Sequence, residues 1–500
     1  MFRKLLIANR GEIAIRVARA ARELGVQTAG VYSDGDAGAL YRGFVDESYR
    51  LGPPPPSESY LRIDLLIEVA VKCGADALHP GYGFLAENPA LSAACRDAGI
   101  AFIGPTPEAM ELAGDKITAR KRMADAGVPV AAGSSALRDA GHAADEAAKI
   151  GYPVILKASG GGGGIGMQVV RREEEIARLF ETAESTAKNA FANPTIFLEK
   201  YFERPRHIEI QFLADQHRHA IHLGERECSV QRRHQKLIEE SPSRIVTAEM
   251  RRTLGEVTVR GMVAMGYTNA GTAEFLYADG RFHFNEINAR LQVEHPVTEA
   301  VTGIDLVQQQ ILLAAGEELP IRQEEVQLHG HALECRINAE DPLDGFLPSP
   351  GRITEFQLPG GAGVRVDTGV ASGSVIPEFY DSLIAKVIVH GHTRHASLAR
   401  MRRALEELRV EGVATNREFH LAALATEAFQ RGDLSTRFIE EERIEETLRA
   451  TAHQEREAVA AVAAILAVEH EAAARFRRRV VFRSLPASAW GLASRPGRRL

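Results

Sequence analysis

Between residues 4 and 103 the sequence alternates between short apolar runs and stretches with apolar residues at helical spacing. Residues 4–8 (KLLIA) read as a buried strand. Gly11 follows, and Ile13, Val17, Ala21 and Leu24 then form a helical stripe. Residues 26–32 read as a second strand. Helices are predicted around 60–72 and 90–98, with strands at 75–78 and 100–103. Strands alternating with helices predict a parallel sheet covered on both faces. The expected fold class is α/β, partly α+β, and this first unit spans 1–114.

The texture then changes. Residues 153–158 (PVILKA) read as a strand, Gly160 to Gly164 is an unbroken glycine run, and 166–171 reads as the return strand. A helix around 173–190 and strands near 195–200 and 206–213 come next. This predicts a small antiparallel lid, about 131–203, inserted in a larger unit, 115–316. That unit also carries a hairpin, GTAEFLYADGRFHFNEINAR, with Asp279-Gly280 at its turn. A helix over about 304–315 closes it. A third unit, 317–446, mixes strands (330–338, 384–390) with helices (394–408, 416–428). The last stretch, 447–500, begins with an Ala-rich helix (456–474). From Arg475 to Leu500 it holds eight arginines and no acid. It reads either as a helix with a poorly ordered basic tail or as a docking segment for a partner subunit.

Composition narrows the class of function. Over 500 residues, 45% are apolar and 25% charged, which excludes wholesale disorder. The net charge of −7 makes nucleic acid a poor candidate partner. Cys73, Cys95, Cys228 and Cys335 are widely spread and lack metal-ligand spacing, which points to a reducing compartment. No apolar run approaches a membrane span, and Leu5 to Ala8 is too short for a signal-peptide core. A cytoplasmic protein with no membrane partner is the simplest expectation.

Several residues carry chemistry by type and spacing. Successive glycines let backbone N–H groups form a nest for an anion, and Lys157 adds a charge beside them. Glycine runs also occur in flexible linkers, and the loop lacks the Walker arrangement. On the hairpin, alternation puts Glu286 and Asn288 on one face, with Glu274 on the partner strand. Two carboxylates and an amide suit Mg²⁺, although a solvated hairpin face would read the same way. Arg290, on the expected continuation of that face, suits a small planar anion. Glu294 is a candidate general base. Lys116, His207, His234 and Lys236 are candidate phosphate contacts, of value collectively.

The stretches IANRGEIAIR (7–16), HPGYGFLAEN (79–88), KASGGGGGIGM (157–167), RECSVQRRHQKLIEESP (226–242), NEINARLQVEHPVTE (285–299) and CRINAEDP (335–342) resemble biotin carboxylase. The resemblance covers about residues 1–446. It implies an ATP-grasp fold with an N-terminal Rossmann-like unit, a mobile glycine-rich lid and a C-terminal mixed α/β unit. It also implies site roles. Lys116 and Lys157 hold ATP phosphates under the loop of Gly162, Gly163, Gly164 and Met167. Glu199, Lys200 and Phe202 meet the adenine, with His207, Gln231 and His234 on the nucleotide side. Glu274, Glu286 and Asn288 take Mg²⁺ or Mn²⁺, Glu274 also contacting ATP. Lys236, Arg290, Gln292, Val293 and Tyr82 line the bicarbonate and biotin pocket. Glu294 deprotonates bicarbonate, whose attack on ATP gives carboxyphosphate. Arg336 stabilises the biotin enolate. One departure is Ile165, where the family carries Arg or Lys. It is either a tolerated loop change or a weaker hold on nucleotide.

No A-M-K-M biotinylation motif occurs in the chain, so biotin is expected on a separate biotin carboxyl carrier protein. A carboxyltransferase subunit is the implied second partner, and a homodimer the implied assembly. The tail segment SAWGLASRPGRR (488–499) resembles the stretch just beyond the carboxylase unit in long acyl-CoA carboxylase subunits. It points to acyl-CoA, foremost acetyl-CoA and hence fatty acid biosynthesis, as the final acceptor. Alternatives are a pyruvate or other carboxylase, another ATP-grasp ligase with an amine acceptor, and a catalytically silent nucleotide-binding assembly subunit.

Overall fold

A computed structural model describes residues 1–481 apart from 161–163, 165 and 192. Gly162, Gly163 and Ile165 of the glycine loop, and the segment 482–500 with its acyl-CoA carboxylase-like motif, therefore lie outside the described residues. The chain divides into two compact units, 1–444 and 445–500.

The N-terminal alternation builds the sheet it predicts. Strands β1 (Lys4–Ile7), β2 (Gln27–Ser33), β3 (Glu47–Gly52), β4 (Ala77–His79) and β5 (Ala101–Phe102) pair in parallel in the order β3-β2-β1-β4-β5. Successive side chains of β1 serve opposite faces, as a strand requires. Leu5 and Ile7 pack with Ile13, Val17 and Ala21 of helix α1 (Gly11–Glu23). Leu6 joins Leu66, of helix α2 (Ile63–Cys73), and Leu91, of helix α3 (Pro89–Asp97). Each such buried aliphatic side chain contributes about 1.5–3 kcal/mol of transfer free energy. Strand β3 has no counterpart in the sequence reading.

The lid sheet comprises β6 (Val154–Ala158), β7 (Gln168–Val170) and β8 (Ile196–Lys200), antiparallel in the order β7-β6-β8. Val154, Leu156, Val170 and Leu198 form its core with Phe180 and Ala183 of the helix Ile176–Phe191.

A larger sheet crosses the rest of the first unit. Its strands are β9 (Arg206–Ala214), β10 (Ala220–Arg232), β11 (Gln235–Ser241), β12 (Asn269–Ala278), β13 (Arg281–Asn288), β14 (His331–Asn338), β15 (Val364–Thr368) and β16 (Leu383–Gly391). Among the described residues their order is β13-β12-β9-β10-β11-β14-β16-β15, antiparallel throughout. One continuous sheet thus joins the 115–316 and 317–446 regions. The expected Asp279-Gly280 turn links β12 to β13, with both residues at positive φ. The β10–β11 hairpin covers the stretch RECSVQRRHQKLIEESP, for which the sequence predicted no secondary structure. The expected 416–428 helix is two helices, Arg417–Ala425 and Glu427–Arg431. The break falls at Thr426, whose extended backbone and side chain cap the second through Phe429 N.

The described residues of the second unit form a helix, Ile444–Val481, that begins at the last residue of the first unit and is longer than the Ala-rich stretch alone predicted. All four cysteines are buried and unbridged. Among the described residues no helix is long and apolar enough to cross a membrane.

Candidate active site

The site lies on the β13-β12-β9-β10-β11-β14 part of the large sheet, where strand pairing brings acids together. Glu274 on β12 stands opposite Glu286 on β13 and opposite Glu209 on β9. Bare alternation would put Asn285 and Glu286 on opposite faces. The register between β12 and β13 shifts just after Glu274, adding one residue to β13 there. Both side chains consequently meet the lysines expected to hold phosphates. Asn285 Oδ1 accepts from Lys157 Nζ at 3.0 Å, and Glu286 pairs with Lys116. Lys116 opens a helix capped by Asp115, and its backbone N–H bonds Ser159 O at 3.0 Å, tying it to the end of β6. Lys157 also reaches Glu199 on β8 at 2.5 Å.

Lys236 sits among three carboxylates. Its ammonium donates to Glu209 Oε2 at 2.5 Å, Glu274 Oε1 at 2.9 Å and Glu294 Oε1 at 2.7 Å, using all three of its protons. Lys236 and Glu239, three residues apart, share this face because β11 carries an extra residue between Ile238 and Lys236. Glu294 caps no helix with its side chain, although it precedes the helix His295–Thr302. Its second oxygen accepts from Arg336 Nη2 at 2.8 Å. Burial alone would raise the Glu294 carboxyl. Lys236 and Arg336 outweigh that and hold it below the usual carboxylate range. His207 Nε2 lies 3.2 Å from Glu274 Oε2. Burial would lower the imidazole, but the Glu274 charge prevails and pushes it up to about 9.

The other predicted residues surround this centre or turn away from it. Arg290 lies two residues beyond the end of β13 at Asn288, so it does not continue the strand as expected. The chain turns there, and the guanidinium holds Glu87 Oε2 at 3.0 Å and Asn288 Oδ1 at 3.4 Å. Gln292 donates to Glu274 Oε1 at 3.0 Å, and the Val293 carbonyl accepts from Lys386 at 3.0 Å. The Tyr82 hydroxyl donates to Glu12. Phe202 stacks on His283 at 4.5 Å between centroids. The Lys200 ammonium turns to the carbonyls of Gly151 and Tyr152, at 2.9 and 3.1 Å. Gln231 pairs with Lys236 across the β10–β11 hairpin. His234 lies at that hairpin's turn, with φ +67°. Gly164, also at positive φ, packs so closely on the His234 ring that a Cβ there would come within 2.4 Å of Cδ2. Met167 N bonds Gly164 O at 3.5 Å.

Several residues of the site escaped the sequence reading. Arg226, fully buried on β10, spends all five N–H groups on Glu209, Gln211, Thr298, Thr272 and Gln292, and so fixes the Gln292 amide. Lys386, fully buried on β16, bridges the Val293 carbonyl and Glu12 Oε1, the latter at 2.9 Å. Glu239 and Glu334 are buried beside Arg336, and burial pushes both carboxyls up. A signal existed for Glu209: beyond Arg206, His207, Glu209 and Gln211 are polar at alternate positions of an otherwise apolar strand.

Glu274, Glu286 and the Asn288 amide offer oxygen donors on adjacent strands, the hard set that Mg²⁺ takes in part while sharing phosphate oxygens. His207, Glu209 and Glu274 also converge, with one ligand atom each within 4.8 Å of the others. The donor chemistry of the hairpin fits a hard divalent cation, balanced here by Lys116 and Lys236.

Known proteins share both the domains and the fold. Residues 1–110 match the biotin carboxylase N-terminal domain, 115–322 the ATP-binding domain of the carbamoyl-phosphate synthase L chain, and 334–441 the biotin carboxylase C-terminal domain. A pyruvate carboxylase subunit of Methanothermobacter thermautotrophicus is 55% identical over 89% of this chain and 90% of its own. Biotin carboxylase 1 of Bacillus subtilis is 49% identical over 88% of this chain and 98% of its own. Among solved structures, the biotin carboxylase domain dimer of Hydrogenobacter thermophilus 2-oxoglutarate carboxylase, in complex with MgADP, ADP and bicarbonate, has a TM-score of 0.86. It is 46% identical, covering 89% of this chain and 98% of that one. The β,γ-ATP complex of Campylobacter jejuni biotin carboxylase also gives 0.86, at 45% identity, covering 88% of this chain and 99% of that one. With sequence and fold in agreement over almost nine-tenths of its length, the chain belongs to the biotin carboxylase family of ATP-grasp ligases.

Proposed function

We propose that this chain carboxylates biotin borne on a separate carrier protein, using MgATP and bicarbonate and passing through carboxyphosphate. The observation that carries the reading is the Glu294 carboxylate, which holds a cation on each oxygen, Lys236 at 2.7 Å and Arg336 at 2.8 Å. In that state it is a weak base. A bicarbonate entering between Lys236 and Arg290 draws Lys236 away from Glu294, which then gains basicity where the proton must be removed. Lys116 and Lys157, released from Glu286 and Glu199, hold the triphosphate, with Gly164 closing from the lid and His234 meeting it from the β10–β11 turn. Phe202, Glu199 and the Lys200 backbone flank the base, and Met167 the loop. A divalent cation on Glu274, Glu286 and Asn288 supplies charge neutralisation on the phosphoryl group under attack. After carboxyphosphate breaks down, phosphate takes the biotin N1 proton, and Arg336 faces the enolate oxygen with Tyr82 nearby.

The division 1–114, 115–316 (lid about 131–203), 317–446 and 447–500 is part of this proposal, as are a homodimer and a cytoplasmic setting. The Hydrogenobacter thermophilus domain dimer supports the assembly. For the final acceptor, the segment 488–499 supports acyl-CoA. The 55% identical pyruvate carboxylase subunit supports a 2-oxo acid, with far more of the chain behind it. ADP release measured with and without bicarbonate and free biotin tests the core reading. Turnover unaffected by bicarbonate would sink it. Assays with the partner carboxyltransferase, supplied in turn with acetyl-CoA and pyruvate, decide the acceptor.

A further inference from the structure

Glu239 has no part in the roles proposed for the other site residues. It is fully buried on β11, directly across the ladder from Glu334 on β14. Among the described residues its side chain hydrogen-bonds Arg336 alone: Oε1 accepts from Nε at 2.6 Å. Arg336 gives Nη2 to Glu294 Oε2 at 2.8 Å, and its Nη1 bonds neither acid. The backbone beneath is fixed as well. The Arg336 carbonyl accepts from Asn416 Nδ2 at 3.0 Å and from His420 Nε2 at 2.7 Å. The guanidinium is therefore slung between two carboxylates with different duties. Glu294 changes protonation during the reaction. Among the described residues Glu239 hydrogen-bonds neither the lysines nor the hairpin acids.

We propose that Glu239 is a positioning residue for Arg336. It holds the guanidinium in place when Glu294 takes up the bicarbonate proton and ceases to be its counter-charge. A buried arginine left without an anion is driven to find another acid or water. Fixing Nε keeps the charge of Arg336 available to the biotin oxygen at the moment the enolate forms. The inference rests on the enolate role given to Arg336 above.

Glu239→Gln keeps the shape and an acceptor oxygen but removes the charge. Biotin carboxylation by the full chain, measured with free biotin, is expected to fall about ten- to a hundredfold, the scale of a charged hydrogen bond. The KM for ATP and bicarbonate-dependent ATP cleavage without biotin are expected to stay within about twofold. Glu239→Asp, which restores the charge on a shorter stem, is expected to lie between. In the double variant Glu239→Gln/Arg336→Ala, the first substitution should add nothing to the second. Wild-type biotin kinetics in Glu239→Gln, or equal loss of both activities in Gln and Asp variants, would overturn the proposal. Arg336→Ala, run alongside, separates the two failures. If it is selective for the biotin step and Glu239→Gln is not, only the positioning role falls. If it loses both activities equally, the enolate role falls and takes the positioning role with it.

Discussion

Glu294 Oε2 accepts a hydrogen bond from Arg336 Nη2 at 2.8 Å, so the base proposed for bicarbonate and the cation proposed for biotin begin as one ion pair. Glu294→Gln leaves the pocket's shape but removes the proton acceptor. Carboxylation is expected to fall by about 10²-fold or more, the usual scale for a lost general base. Nucleotide binding, proposed to rest on Lys116, Lys157 and the lid, should change little. Isothermal titration with a non-hydrolysable ATP analogue checks the second half. A comparable loss of nucleotide affinity would show that Glu294 shapes the whole site.

The glycine at 164 is required by more than its positive φ of 78°. A Cβ there would stand 2.4 Å from His234 Cδ2, inside any real carbon contact. His234 sits at the β10–β11 turn with φ +67°, so relieving the clash swings its ring aside or makes the lid retreat, and either disturbs the closed loop. Gly164→Ala is therefore expected to raise the KM for ATP several-fold with a smaller change in kcat. The fold should be intact, because the contact joins the lid loop to a hairpin tip and crosses no core. An unchanged KM would mean that the loop closes elsewhere.

Much of this site was legible from the chain because its acids sit on a hairpin with an Asp-Gly turn. Glu286 and Asn288 share a face by simple alternation and the Asp279-Gly280 turn puts Glu274 on the partner strand, but a regular count outward from that turn pairs Glu274 with Asn285, and only the extra residue in β13 sets it opposite Glu286. Asn285 was not legible, since only an extra residue in β13 brings it to the same face as Glu286. The same applies to Lys236 and Glu239, whose spacing contradicts alternation until β11 bulges. Arg290 failed in the opposite sense: its spacing continued a strand that stops at Asn288. Buried cations are the hardest to read. Arg226 lies in a segment that looks like ordinary charged surface and Lys386 is a lone charge in an apolar strand, and nothing local reveals the partners that reach them from distant elements. The N-terminal sheet was legible because its strands are buried on both faces and its helices are amphipathic.

Stability should fall in mild acid through buried neutral histidines. Burial pushes His420 down to about 4, despite the hydrogen bond to the Arg336 carbonyl, whereas an unfolded histidine titrates near 6.5. A depressed folded value means the contribution is whole above about 6.5 and is lost as pH falls from there toward 4. At pH 5 the difference amounts to about 2 kcal/mol, at roughly 1.4 kcal/mol per unit. His420→Gln removes the titration and can still donate to the carbonyl. Its denaturation midpoint should vary less between pH 7 and 5 than that of the wild-type chain. Parallel curves for the two would show that His420 protonates freely in the fold.

Lys386 offers the sharpest stability test, because its ammonium is completely buried with Glu12 Oε1 at 2.9 Å and the Val293 carbonyl at 3.0 Å. Lys386→Met fills the volume but strands both partners. Glu12 retains only the Tyr82 hydroxyl, and the carbonyl next to Glu294 loses its donor. Removing one member of a buried pair costs about 3–5 kcal/mol, mostly from the charge left behind. Glu12→Gln in the same chain removes that charge while keeping an acceptor for Tyr82. The double variant Glu12→Gln/Lys386→Met should therefore be more stable than Lys386→Met alone, with a coupling of about 1–3 kcal/mol in a denaturant titration. Activity need not recover with stability, since the Val293 carbonyl remains unheld in both. Additive losses would mean that Lys386 is held chiefly by Asp367, 3.9 Å away, and that the Glu12 contact contributes little.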